Sequence, residues 1–155
     1  MKKIKLINLA VLTLAVLTFG SCKKEGCTDT DATNFNESAK KDDNSCQYEG
    51  RMIFWYNQEI AQEFSELEVA SLKFYLDGEL IGSKATTTYF NIAPDCDNSS
   101  VINATKSLGT LQEKTYQLRV VDEDGDDAWR TNVTFKANTC TQFQLTAEAG
   151  YPDFQ

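Results

Sequence analysis

The chain has 155 residues, with 15 Lys and Arg against 23 Asp and Glu, five cysteines and no histidine. Without histidine, Ser-His and Cys-His nucleophile pairs and histidine-metal centres are excluded. The formal charge of −8 argues against nucleic acid and against adhesion to anionic lipid through side chains.

The N-terminal segment, residues 1–21, has the layout of a targeting signal. Lys2, Lys3 and Lys5 form a positive start. Ile7 to Phe19 is apolar over thirteen positions, broken only by Asn8, Thr13 and Thr18. A bilayer core of ~30 Å needs about 20 residues, so this run fits a signal peptide better than a membrane span. Ordinary signal peptidase wants small residues at −1 and −3, and a cut before Cys22 places Phe19 at −3. Removing residues 1–21 takes away three lysines and no acid, so the charge falls to −11.

Gly20-Ser21-Cys22 resembles the lipobox of bacterial lipoproteins. The lipobox pattern prefers Leu where this chain has Phe19, and looser lipoboxes of this kind are common in lipoproteins of the Bacteroidota. The resemblance implies cleavage before Cys22 and a diacylated Cys22 as first residue, which places the protein on a membrane. One acyl chain binds a bilayer only marginally and two or three hold firmly. Lys23 stands where some bacteria use Asp to retain lipoproteins at the inner membrane, so the outer membrane is expected. Lys23-Lys24-Glu25 matches the acidic export tract of such proteins only in part, which leaves the periplasmic face and the cell surface both open.

After a tether of residues 22–26, residues 27–48 are polar and lack a period of 2 or 3.6. Cys27 and Cys46 bracket the stretch, which argues for a closed loop rather than a disordered linker. Gly26-Cys27-Thr28-Asp29, Ala32, Asn34-Phe35-Asn36, Ala39, Asp42-Asp43-Asn44-Ser45-Cys46 and Tyr48 resemble a short motif of secreted Bacteroidota proteins. That motif runs roughly G-C-T-D-x-x-A-x-N-[YF]-x-x-x-A-x-x-D-D-G-S-C-x-Y. The resemblance implies a Cys27–Cys46 bridge and no particular activity. Asn44 replaces the motif's Gly, and Asn is the next-best residue for a left-handed turn.

Asp29, Asp31, Asp42 and Asp43 are hard oxygen donors of the kind calcium favours, as are Asp122, Asp124 and Asp126 further on. Calcium is the one cofactor these residues suggest. Counted from Asp29, an EF-hand fails, because position 6 is Asn34 and position 12 is Lys40. The competing role for Asp and Asn in such loops is to cap turns.

From residue 49 to 148 the pattern has period 2. Arg51 to Tyr56 is apolar on both faces, as in a central strand. Residues 58–69 carry helical spacing at Ile60, Phe64 and Leu67, which predicts a long loop with one or two helical turns. Leu72, Phe74 and Leu76 alternate with Lys73 and Tyr75, Asp77-Gly78 supplies a hairpin turn, and Glu79 to Ile81 returns. Further strands are predicted over Thr86 to Ile92, Val101 to Thr105, Tyr116 to Val120, Trp129 to Ala137 and Phe143 to Ala147. Seven or eight short strands in this span predict a mainly β fold, an antiparallel β-sandwich of the immunoglobulin-like Greek-key kind. Residues 149–155 form a tail.

Gly50, Phe54-Trp55, Phe74, Asp77-Gly78, Cys96, Thr115-Tyr116, Trp129 and Cys140 resemble a group of small secreted Bacteroidota β-domains, in which a mid-domain Cys pairs with one before the last strand. Thr115-Tyr116 is also similar to immunoglobulin-like bacterial domains, where the Tyr hydroxyl bonds back to the backbone at a corner. Four cysteines allow three connectivities. Pairing Cys27 with Cys46 and Cys96 with Cys140 keeps each bridge inside one unit.

Function narrows by class. The remaining acids cluster in turns such as 122–127, where solvated loops expect them, so an enzyme is not expected. A binding module would take a glycan or an envelope protein, with Trp55, Tyr56 and Trp129 as candidate contacts beside Tyr75 and Tyr89. Trp129 shares a face with Val133 and Phe135, which favours core packing for it. Trp55 and Tyr56 point to opposite faces, so at most one is expected at a surface. The class that fits everything is a non-catalytic structural or accessory lipoprotein of the cell envelope.

Overall fold

The computed structural model describes residues 23–146. Seven strands and one helix follow in order: β1 (Tyr48–Trp55), α1 (Gln58–Glu66), β2 (Ser71–Leu76), β3 (Glu79–Ala85), β4 (Ile102–Gly109), β5 (Glu113–Val121), β6 (Asp127–Lys136) and β7 (Cys140–Gln144). They form two sheets, ordered β4-β1-β7 and β3-β2-β5-β6.

Period-2 patterning becomes burial directly. In β2, Leu72, Phe74 and Leu76 are buried while Lys73 and Tyr75 are half-buried. In β5 and β6, Tyr116, Leu118 and Val120 meet Trp129, Val133 and Phe135 on the same inner face. Met52 and Phe54 of β1, with Tyr56 just past its end, join this core from the other sheet, and the rings of Phe54 and Phe74 lie 6.1 Å apart. Both sheets therefore share one apolar centre. Gly50 allows a close approach at its edge, because a Cβ there would sit 2.7 Å from the Lys136 carbonyl oxygen.

The β2–β3 hairpin turns at Asp77 (φ 48°) and Gly78 (φ 83°), both left-handed as a two-residue type I′ turn requires. The Asp77 carboxylate also accepts the Gln117 N–H at 2.8 Å, tying the hairpin tip to β5.

Three local expectations are corrected. Residues 58–66 are a nine-residue helix rather than a loop with one or two turns. Asn57 caps it by accepting the Ile60 N–H, and Ile60 and Phe64, one turn apart, bury against the core. Phe64 meets Trp129 edge-on at 5.4 Å and Tyr56 at 5.8 Å. Thr86 to Ile92 is not a strand. The Thr86 hydroxyl donates to the Val69 carbonyl, and the Phe90 N–H bonds the Tyr56 carbonyl, so the segment bends over the outer face of the β4-β1-β7 sheet. The last strand runs from Cys140 only to Gln144, so Leu145 lies just past it, and Ala147 lies outside the described residues.

The sheet is also not wholly antiparallel, since β7 runs parallel to β1. The chain leaves β6 at the end where β1 begins. Asn138 (φ 49°) turns it there, with its N–H on the Glu49 carbonyl. Arg51 N–H bonds the Thr139 carbonyl, so β7 sets off beside β1 in the same direction.

Candidate functional site

The Asp/Asn-rich module is built on the Cys27–Cys46 bridge, whose Cα atoms are 4.8 Å apart. Its polar side chains mostly bond its own backbone. Asp42 accepts from Asn44 N–H and Asp43 from Ser45 N–H, each two residues on, as Asx turns do. Asn44 takes φ 61°, the left-handed value expected where the related motif has Gly. Asn34 accepts the Gln47 N–H and donates to the Ser45 carbonyl, closing the loop across the bridge.

Asp29 joins the module to the β domain. One of its oxygens accepts the Asp31 N–H, and the other accepts the Tyr48 hydroxyl at 2.7 Å and the Gln112 amide at 2.9 Å. The Tyr48 bond first, then those from Asp31 and Gln112, hold the Asp29 carboxyl below the usual Asp range. Asp31 accepts from the Asn138 amide at 3.3 Å. The module thus rests on the β4–β5 corner, the β6–β7 turn and the start of β1. A cleft of about 290 Å³ follows this seam, lined in part by Asp31, Thr33, Glu49, Arg51 and Asn138. Two of its charges already serve the fold: Asp31 holds Asn138, and the Arg51 guanidinium donates to the Cys96 carbonyl and to Asp97.

The second candidate set lies at the opposite end, in the β5–β6 loop. One oxygen of Asp122 accepts the N–H groups of Asp124, Gly125 and Asp126 at 2.8–3.0 Å, so this carboxylate shapes the loop from within. Asp124 and Asp126 are exposed. Among the described residues, no three or more Cys, Asp or Glu side chains gather as a metal centre. The two proposed calcium sets sit at opposite ends, and four of their carboxylates, those of Asp29, Asp42, Asp43 and Asp122, cap turns.

Sequence patterning passed over Glu123. Its two oxygens accept the N–H groups of Ala70 and Ser71 at 2.9 and 3.0 Å, capping the entry to β2. Those bonds, Ala70 first, lower its pKa. No local signal marks this role, because the partners lie more than fifty residues upstream.

The stability consequence has a definite sign. Glu123 and Asp29 have folded pKa values below their unfolded ones, so their contribution is present above the unfolded value and is lost as pH falls through the folded one. Urea midpoints are expected to hold from neutral pH down to the ordinary carboxylate range and then decline. Glu123→Gln keeps one acceptor oxygen and removes the charge. It should lower the midpoint at pH 7 and flatten the acid decline, and a parallel curve would remove Glu123 from this account.

The aromatics considered for ligand contact are buried. Trp129 is 0% exposed and donates its indole N–H to the Thr146 carbonyl. Tyr56 is 3% exposed, stacks on Trp129 at 6.4 Å and has its pKa pushed up to about 12 by burial. Trp55 is 8% exposed and packs with Ile53, Val101 and Phe90 on the outer sheet face. Trp129 packs in the core as its shared face with Val133 and Phe135 suggests, and of the pair Trp55 and Tyr56 neither is exposed, because the 86–101 segment covers the face on which Trp55 stood. Tyr75 is half-buried and Tyr89 is open to solvent.

Cys96 and Cys140 are bridged, with Cα atoms 6.3 Å apart, which pins that covering segment to β7. Cys22 lies outside the described residues, and no described helix is long and apolar enough to cross a membrane. No protein-family model matches the chain, nor does any curated protein or solved structure.

Proposed function

We propose that this protein is a lipoprotein anchored through Cys22 in the outer membrane, with a non-catalytic structural or accessory role in the cell envelope. One observation carries the reading. Of five cysteines, four close two disulfides, and Cys22 stands outside both, behind a positive start and a short apolar run. Disulfides belong to oxidising compartments, which agrees with export. The module's likeness to a motif of secreted Bacteroidota proteins points the same way.

The β body reads as an immunoglobulin-like Greek-key sandwich. Its order β3-β2-β5-β6 corresponds to strands C′-C-F-G, and β7-β1-β4 takes the places of A, B and E. The Tyr116 hydroxyl donates to the Ser107 carbonyl at 3.0 Å across the β4–β5 corner, as the tyrosine corner of such domains does. The parallel β7 departs from that pattern. A non-catalytic role is supported by the polar groups, whose carboxylates cap loops at both ends of the body. A role in glycan binding has lost Trp55, Tyr56 and Trp129 as platforms.

The deciding experiment is intact mass of the membrane-extracted protein. A chain beginning at Cys22 and carrying diacylglyceryl mass is expected, and Cys22→Ala should leave the signal segment uncut. A released protein with a free Cys22 thiol would sink the reading.

A further inference from the structure

The chain as a whole is acidic, yet that balance hides a polarity. Four of its lysines, Lys23, Lys24, Lys40 and Lys41, fall between residues 23 and 41. The fold brings them together. The Lys24 carbonyl accepts the Lys40 N–H at 2.7 Å, the Gly26 N–H bonds the Lys41 carbonyl at 3.2 Å, and Glu25 bridges with Lys41. Ordered backbone pairing therefore starts two residues after Cys22, and two peptide units reach at most about 7 Å. Lys40 is next to Lys24 across this bridge, although sixteen positions separate them.

The tether and module carry four lysines against six acids, but the side chains beside the tether include three exposed lysines, Lys23, Lys24 and Lys40, that form no ion pair among the described residues. Glu25 is taken by the Lys41 ammonium group at 2.6 Å. Lys24 bonds only the neutral Ser38 hydroxyl. Asp42 and Asp43 accept N–H groups of their own turn and stay exposed carboxylates next to Lys41 in the chain. Glu37 remains as an exposed acid nearby in the chain. Lys23 and Lys40 are exposed, with no partner among the described residues.

The opposite end is acidic. β1 and β5 both run away from the module, and the β5–β6 loop at their far end carries Asp122, Glu123, Asp124 and Asp126. Asp29, Tyr48, Gln112 and Asn138 lock the module to the near end, so the body cannot swing freely about it.

We infer that the Cys27–Cys46 module is a foot that seats the β body directly on a phospholipid surface. Lys23, Lys24 and Lys40 meet lipid phosphates, and the 122–126 loop points away from the membrane. This rests on lipidation of Cys22 and adds the orientation. An anchored protein could equally stand off on a flexible stalk, but the pairing at Lys24 leaves no length for one. The tether holds the module at the surface against the protein's overall negative charge. There the unpaired lysines beside Cys22 meet phosphates, while the 122–126 carboxylates are repelled, so local charge and tether favour the same pose.

The test is lysine acetylation footprinting of the intact lipoprotein. Labelling in vesicles of phosphatidylethanolamine and phosphatidylglycerol is compared, residue by residue, with labelling in detergent. Lys73 and Lys84, near the acidic end, are the internal controls. Several-fold protection of Lys23, Lys24 and Lys40 in vesicles, with unchanged Lys73 and Lys84, is the expected result. Equal labelling of all five in a protein whose mass shows the acyl chains would overturn the foot and leave the anchor standing. A protein without acyl mass that does not float with vesicles would remove the anchor and the foot together.

Discussion

Trp129→Ala should destabilise the protein by about 3–5 kcal/mol, the range for deleting a large buried aromatic. Trp129 is fully buried at the centre of the molecule, between Phe64 from α1 and Tyr56 from the end of β1. One side chain thus joins the helix and both sheets. Its indole N–H also holds the Thr146 carbonyl, where the chain leaves β7. Alanine would empty the aromatic cluster and leave that carbonyl without this donor. Trp129→Phe keeps most of the ring volume and removes the N–H, so it should cost about 1–3 kcal/mol, mainly from the orphaned carbonyl and imperfect packing. Chemical denaturation of both variants separates the two contributions. A near-neutral Trp129→Ala would place this residue at a surface and reopen the ligand-binding reading that its burial closes.

Opening the Cys96–Cys140 bridge, by Cys96→Ser with Cys140→Ser, should cost up to about 4 kcal/mol. Its sequence separation of 44 sets that value in the chain-entropy model. The 19-residue separation of Cys27 and Cys46 gives about 3 kcal/mol. Part of the larger loss should be recovered locally. The Trp55 Nε1 is buried with no hydrogen-bond partner among the described residues, at a cost of about 1–3 kcal/mol for such a group. Releasing the 86–101 segment lets water reach it, so the measured loss should fall short of the entropic value. Tryptophan emission should shift to the red as Trp55 becomes wet while Trp129 stays dry.

The order of reduction follows from access. Cys27 and Cys46 are 1% and 7% exposed, whereas Cys96 and Cys140 are half-buried. A thiolate must reach a sulfur to attack it. Mild reductant followed by alkylation and peptide mapping should therefore mark Cys96 and Cys140 first. Earlier labelling of Cys27 and Cys46 would mean that the module opens more readily than its packing implies.

The features legible in the sequence are those decided by near neighbours or by counting. Alternation placed Leu72, Phe74 and Leu76 inside, because successive strand residues must face opposite ways. Asp77-Gly78 marked its turn, because two left-handed residues in a row suit few other pairs. Both disulfides followed from keeping each bridge within one unit of the chain. The Asn44 turn was legible through a single substitution of Asn for Gly. Tertiary structure decided what each surface faces, and no local pattern encodes that. Trp55 had an apolar side chain on a strand face, but only the disulfide-pinned 86–101 segment made that face an interior. Asp29 and Glu123 are ordinary loop acids until Gln112, Ala70 and Ser71 arrive from distant elements. The parallel β7 and the closeness of Lys40 to Lys24 have the same cause. Each depends on where a turn returns the chain after many residues, which is set by the packing of the whole body.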